Sequence, residues 1–178
     1  MKRILAVAAI LMAGQATGQT FDDFSGDAAA RWDYVADRVM GGVSEGGAEI
    51  AGTGENAVLR LRGQVSTDNN GGFIQVRRRF AQSWPESAEG LSLTVKGNGQ
   101  DYYVFLKTPD LSRVWYSYRA TFTATDDWRT VQLPFAAFEP SHEAMPQSFA
   151  PTAVRSLAIV AYGADFEADV SVKRIEFY

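Results

Sequence analysis

The chain has 178 residues, of which 17 are basic and 21 acidic, with no cysteine and one histidine, His142. Without cysteine it can form no disulfide, thiolate nucleophile or cysteine-ligated metal site, and one histidine excludes multi-histidine zinc sites. The net charge of −4 disfavours nucleic acid as a partner, because phosphate binding needs a positive surface. We therefore expect no metal, no cofactor and no nucleic-acid partner.

The N-terminal segment has the pattern of a secretory signal peptide. Lys2 and Arg3 precede ten apolar residues, and small residues follow up to Gly18. Ten apolar residues are too few to span a bilayer, which needs about 20. We predict a signal peptide over residues 1–18, cleaved after Ala16 or Gly18, and a periplasmic or extracellular protein; an uncleaved N-terminal anchor is the alternative. Cleavage after Gly18 removes both basic residues and no acidic one, which leaves a net charge of −6.

Residues 19–178 are predicted to form a single all-β domain, since about 160 residues suffice for one core and are too few for two. Single helical turns are expected at Asp27–Trp32 and Pro134–Phe138. Many short strands with few helices indicate an antiparallel β-sandwich or barrel. We expect the first and last strands, Phe21–Phe24 and Arg174–Phe177, to lie side by side. The apolar–polar alternation of strands recurs near residues 59–62, 74–77, 91–96, 102–106, 114–123, 129–133, 156–161 and 168–177.

Two segments place a pair of glycines among residues typical of β-structure: Val39-Met-Gly-Gly-Val-Ser44 and Asn69-Asn-Gly-Gly-Phe73. Glycine is costly inside a strand, so both pairs indicate tight turns or close backbone approach. We expect the two loops to lie together, braced by an ion pair between Asp37 and Arg77; separate solvated charges or ligand contacts are the alternatives. The candidate binding residues are Asp37, Met40, Gly41, Gly42, Ser44, Asn69, Asn70, Gly71, Gly72 and Arg77.

Taken together, these motifs resemble the complex I intermediate-associated protein family, which includes a mitochondrial assembly factor for NADH:ubiquinone oxidoreductase. The resemblance implies a galactose-binding-like jelly roll without known catalytic residues. It also implies an assembly chaperone or binding module with a protein partner, such as a peripheral membrane complex. Besides the glycine motifs, the matching residues are Trp32, Asp37, Arg77, Gly97, Gly99, Tyr102, Tyr118, Phe122, Trp128, Leu133-Pro-Phe135 and Phe138.

A short pattern around Ser44 matches the G-x-S-x-G sequence of serine hydrolases. That pattern is meaningful only at a strand-to-helix elbow with a base and an acid nearby. Here the surroundings are β-like and glycine-rich, and His142 is the only imidazole. We interpret Ser44 as a hydroxyl that hydrogen-bonds nearby backbone, and we expect no enzymatic activity.

An aromatic cluster in two neighbouring predicted strands provides the alternative function. Exposed rings on a jelly-roll face stack on sugars and also suit protein interfaces, whereas buried rings belong to the core. A carbohydrate-binding module is therefore the alternative to a protein-binding domain. The candidate residues of this aromatic face are Tyr102, Tyr103, Trp115, Tyr116 and Tyr118.

Two charge clusters have structural interpretations. In a strand, the run of three arginines at 77–79 places Arg77 and Arg79 on one face and Arg78 on the other. We interpret it as a solvated or edge strand. Three aspartates near the predicted N-terminus of the domain, at positions 22, 23 and 27, are either Ca²⁺ ligands or solvated turn residues, and their spacing favours the turn.

Overall fold

A computed structural model describes residues 18–178, so the predicted signal peptide lies, apart from Gly18, outside the described residues. It confirms the all-β prediction, with one short helix, α1, at Ala28–Arg31. The strands are β1 (Thr20–Asp22), β2 (Asp33–Ala36), β3 (Glu45–Ala51), β4 (Val58–Val65), β5 (Phe73–Arg79), β6 (Gly90–Gly97), β7 (Asp101–Lys107), β8 (Tyr118–Thr123), β9 (Arg129–Pro134), β10 (Glu139–Pro140), β11 (Ser156–Tyr162) and β12 (Phe166–Phe177). Single 3₁₀ turns occupy Asp37–Met40, Gly54–Asn56, Asp68–Asn70, Phe135–Ala137 and Pro151–Ala153.

The strands form two antiparallel sheets packed as a sandwich. The first sheet has the order β3-β4-β12-β6-β9, and β1 also pairs with β12. The second has the order β10-β8-β7-β11-β5-β2. In β1, Thr20 is opposite Glu176 and Asp22 is opposite Ile175, which confirms the predicted neighbourhood of the first and last strands.

The core lies between the sheets and follows from the alternation of side chains. In β7, Tyr102, Val104 and Leu106 are buried in the core, while the residues between them face outward. The short strands β2 and β3 were not predicted, because β3 contains two glycines and β2 is only four residues long. Within residues 18–178, no helix is long and apolar enough to cross a bilayer.

The arginine run does not lie on an edge strand, because β5 is flanked by β11 and β2. Arg78 points toward strand β1, where its Nη1 donates to Asp22 Oδ2 at 2.6 Å. Asp22 is buried and also accepts hydrogen bonds from the Trp32 indole (2.8 Å) and from Arg31 (3.0 Å). It is therefore a structural anchor and not a solvated turn residue.

Candidate binding surface

The two glycine loops meet at the buried carboxylate of Asp37, as predicted. Asp37 Oδ2 accepts hydrogen bonds from the backbone N–H of Gly72 (2.6 Å) and of Phe73 (3.2 Å) in the second loop. Within its own loop, Asp37 accepts from the Ser44 N–H at Oδ1 (3.0 Å) and from the Ser44 hydroxyl at Oδ2 (2.5 Å). One side chain therefore fixes both loops against each other.

The hydrogen bonds also determine the charge state of Asp37. Burial by itself raises the pKa of this carboxyl, but the hydrogen bonds from Ser44, Gly72 and Phe73 outweigh burial and lower the pKa below its ordinary value of 3.8. Asp37 is thus a carboxylate at neutral pH, held by four donors.

The glycines are required at this junction for two different reasons. Gly41 (φ +90°) and Gly72 (φ +122°) have backbone conformations that a β-branched residue could adopt only with strain. Gly42 and Gly71 instead lie so close to Asp37 that a Cβ atom would collide with its carboxylate. The preceding residues Asn69 and Asn70 also have positive φ, at 55° and 59°.

Ser44 is fully buried beneath the first loop and has no features of a nucleophile elbow. Its hydroxyl donates to Asp37 and accepts from the Ser66 N–H at 3.0 Å. The residue precedes strand β3 and not a helix. His142 packs elsewhere, with its ring 5.1 Å from that of Tyr116. The local geometry therefore matches the predicted role of Ser44 as a hydrogen-bonding turn residue.

The tip of the first loop exposes apolar side chains above this rigid base. Val39 is 75% exposed, Met40 60% and Val43 43%. Val39 and Met40 lie in the 3₁₀ turn that Gly41 ends. The three side chains are exposed on a loop whose backbone is held at its base by Asp37, and they are here called the apolar tip.

Arg77 does not pair with Asp37, which corrects the predicted ion pair. It lies farther along β5, where its Cα partner is Asp33 on one side and Ala158 on the other. Its Nε atom is buried without a hydrogen-bond partner among residues 18–178. Burial, followed by the proximity of Arg79, lowers the pKa of Arg77 below its ordinary value, and the carboxylate of Asp33 opposes this shift.

Three of the five predicted aromatic-face residues are buried and therefore cannot contact a ligand at the surface. Tyr102 and Tyr118 are core side chains, and Tyr116 stacks on His142 beneath a loop. The Tyr102 hydroxyl accepts from the Asp169 N–H at 2.9 Å and donates to Asn98, and burial raises its pKa to about 12. Only Tyr103, half-buried on the outer face, and Trp115, 61% exposed, remain accessible.

The outer face of the second sheet has a different aromatic cluster around Tyr103. Its ring is 5.9 Å from that of Phe105 and 5.8 Å from that of Tyr162. Arg119 lies over the Phe105 and Tyr162 rings, at 4.5 and 4.8 Å. Phe105 could have been found from sequence because it follows Tyr103 by two residues on one strand face. Tyr162 could not, since only the pairing of β11 with β7 brings it close.

Next to this cluster, the face has a cavity of about 310 Å³. Segment 108–117, which connects β7 to β8, forms one wall, and β5, β7 and β11 form the floor. The lining residues are Gln75, Arg77, Arg79, Phe105, Lys107, Thr108, Leu111, Ser112, Arg113, Val114, Ser156 and Ala158. The cavity extends along β5 from Gln75 to Arg79, whereas the glycine loops adjoin Phe73 at the start of the strand.

A family model matches residues 21–171, from β1 into β12, and covers both glycine loops. It describes complex I intermediate-associated protein 30. The chain belongs to this family. Membership confirms the family resemblance predicted from the sequence. Among curated protein sequences, no match to the chain is found.

Several solved structures share the fold of this protein at low sequence identity. A family 11 carbohydrate-binding module from Clostridium thermocellum, in complex with a β-1,3-1,4-mixed-linked tetrasaccharide, has a TM-score of 0.74 and 15% identity, over 89% of this chain and 94% of that one. A family 30 carbohydrate-binding module has a TM-score of 0.53 and 18% identity, over 77% and 92%. An exo-β-agarase has a TM-score of 0.58 and 11% identity, over 90% of this chain and 25% of the enzyme. These likenesses establish the jelly-roll sandwich.

Proposed function

We propose that the protein is an exported, non-catalytic binding domain whose partner is another protein, in line with the association in its family's name. The observation that supports this is the apolar tip. Three exposed apolar side chains on a fixed backbone are a low-entropy docking surface, because the loop does not have to be ordered when the partner binds. As an exported protein, it would meet the outward-facing part of a membrane-associated complex.

Affinity capture from periplasmic extract tests this function. The double variant Val39→Ser, Met40→Ser removes the apolar side chains and leaves every contact of Asp37 in place. Trp128→Ser is the matched control, since Trp128 is an exposed apolar side chain that belongs neither to the glycine loops nor to the residues lining the cavity on the second sheet. We expect a partner that is retained by wild type and the control and lost with the double variant. Equal capture by all three proteins would contradict the proposal.

Export is tested separately by the intact mass of the protein recovered from the periplasm or medium. We expect a mass that lacks residues 1–16 or 1–18, because the basic, apolar and small-residue regions of a signal peptide occur in order. A recovered chain that retains Met1 would contradict cleavage.

Carbohydrate binding is the second candidate, and the cavity beside the Tyr103 cluster favours it. Its volume of about 310 Å³ is at the lower end of ligand pockets, enough for one sugar unit of a longer chain. Trp115, on the segment that walls the cavity, exposes an indole ring of the kind that stacks on sugars. Backbone NMR titration with soluble oligosaccharides tests it. Shifts confined to β5, β7, β11 and segment 108–117 are expected, and no shift with neutral or acidic saccharides would contradict it.

A further inference from the structure

The cavity on the outer face of the second sheet gathers positive charge, and no carboxylate is among its lining residues; Asp33, opposite Arg77 on the edge strand, lies outside the lining. Arg77, Arg79, Lys107 and Arg113 all line it. None of these four side chains takes part in the ion pairs formed within residues 18–178. The clustering is notable because the protein as a whole is acidic.

The order of the strands creates this cluster. In the register of β11, Ser156 lies between Arg79 of β5 and Lys107 of β7, and Ala158 lies between Arg77 and Phe105. Because neighbouring strands are about 4.8 Å apart, the two pairs of long side chains face each other across roughly 10 Å. The small residues of β11 leave the space between them open.

Two polar side-chain atoms of the cavity-lining residues have no hydrogen-bond partner. Leaving them unpaired destabilises the fold unless a ligand supplies the missing hydrogen bonds. Four buried side-chain atoms among residues 18–178 have no hydrogen-bond partner, and two of these, Arg77 Nε and Thr108 Oγ1, belong to residues that line the cavity. Thr108 is only 7% exposed. A buried donor without an acceptor destabilises the fold. Arg77 Nε can only donate, and the Thr108 hydroxyl can donate as well, so both are suited to acceptor oxygens.

The other groups around Lys107 also favour the binding of an anion. Its Nζ donates to the Val114 carbonyl, which ties segment 108–117 to the sheet. Burial, followed by Arg77, Arg119 and Arg79, lowers the pKa of Lys107 below its ordinary value of 10.5. A bound carboxylate would offset this repulsion through charge-assisted hydrogen bonds.

The first sheet provides an internal comparison. Its outer face has a larger depression of about 520 Å³, also lined by arginines. There Arg60 binds Asp169 through two hydrogen bonds of 2.9 and 2.7 Å, and Arg62 contacts Glu49 at 3.5 Å. The absence of carboxylates is therefore particular to the cavity of the second sheet.

We propose that this cavity binds the carboxylate of an acidic sugar, a uronic acid unit of an oligosaccharide. Arg77, Arg79 and Lys107 would hold the carboxylate. The sugar hydroxyls would form hydrogen bonds with the neutral polar side chains of the lining, Gln75, Thr108, Ser112 and Ser156. This inference rests on the second candidate function, carbohydrate binding, and adds the charge of the ligand.

Calorimetry with oligogalacturonate tests the inference, and its methyl ester is the matched neutral ligand. We expect the acid form to bind at least tenfold more tightly than the ester, and its affinity to fall with added salt. Arg77→Gln and Lys107→Met should each weaken binding about tenfold, which corresponds to about 1.4 kcal/mol. Arg62→Gln, which removes one cation from the other sheet, is the control and should leave affinity unchanged. Thermal melting verifies that each variant is folded.

The remaining outcomes are each decisive. Equal binding of acid and ester would overturn the inference and leave carbohydrate binding standing. Tight binding of poly-glutamate without binding of oligogalacturonate would overturn it in favour of an acidic peptide. Inorganic sulfate that binds as tightly as oligogalacturonate would show an anion site without sugar recognition. If no saccharide, acidic or neutral, binds, the inference and the carbohydrate function are both wrong.

Discussion

The glycine-loop junction and the cavity of the second sheet both contain charged side chains, but the fold supplies partners for these charges differently. At the junction, one carboxylate meets four donors. In the cavity, four cations line one space without a carboxylate partner among residues 18–178, and Arg77 Nε has no acceptor. A charge with all its partners supplied by the fold stabilises the fold, whereas a charge without partners is available to a ligand. The comparison therefore supports a structural role for Asp37 at the junction and is the basis of the binding role proposed for the cavity.

The largest effect is expected from Asp37→Asn. The amide cannot replace both carboxylate oxygens, so it leaves buried donors of Ser44, Gly72 or Phe73 without an acceptor. We expect a loss of about 2–4 kcal/mol in the free energy of unfolding, measured by urea denaturation. Asp33→Asn is the control, because Asp33 is exposed on the edge strand β2. A loss below about 0.5 kcal/mol would show that the junction does not depend on this charge.

Acid unfolding measures the same contacts through their pH dependence. The pKa of Asp37 is lowered in the folded state, so its contribution is complete above the unfolded value and is lost as pH falls through the folded value. The difference in stability between wild type and Asp37→Asn should therefore shrink as the pH falls below 3.8. Taking the difference cancels the contributions of Asp23 and Asp165, whose pKa values are also lowered. A constant difference across this range would contradict the contact network.

The next effect tests the backbone of the junction. Gly41→Val places a β-branched residue at φ +90°, where no neighbouring atom obstructs the side chain, so the cost is conformational. We expect a loss of about 1–3 kcal/mol. Gly47→Val is the matched control, because Gly47 also has open space but its φ lies outside the positive range. Equal losses of unfolding free energy for both variants would contradict the prediction that the positive φ of Gly41 causes the destabilisation.

A smaller effect separates the two outer faces. Arg60→Gln breaks a two-bond pair with Asp169 at a partly exposed site, and we expect it to cost about 0.5–1 kcal/mol. Arg77→Gln removes a cation from a cluster of like charges, so we expect no loss of stability. Thermal unfolding of both variants provides the measurement. Should Arg77→Gln destabilise the protein as much as Arg60→Gln, Arg77 would have a structural role.

The smallest expected effect is an interaction energy near zero between Asp37 and Arg77. Because they form no ion pair, the double variant Asp37→Asn, Arg77→Gln should differ from the sum of the singles by less than about 0.5 kcal/mol. Urea denaturation of the four proteins in the cycle measures it. A larger interaction energy would show that Asp37 and Arg77 do stabilise the two loops together, as expected from the sequence.

Much of the fold was predictable because it depends on local patterns. The alternation in β4 to β9, β11 and β12 follows from the two-residue period of a strand, which no tertiary contact is needed to establish. The glycine pairs and Asn69 likewise indicate unusual backbone conformations from residue type alone. Strand β3 was missed because its two glycines weaken the local signal.

What the sequence by itself determined is the class of fold, the pairing of the first and last strands and the proximity of the two glycine motifs. Only the tertiary structure decided which residues form the exposed face of the second sheet. Tyr102 and Tyr118 differ from Tyr103 only in the direction of their side chains, and strand order decides which direction meets the core. Arg77 and Lys107, thirty residues apart in sequence, line the same cavity because β11 pairs with both their strands. Local periodicity specifies alternation, whereas sheet order is set by long-range burial, and a binding surface depends on the latter.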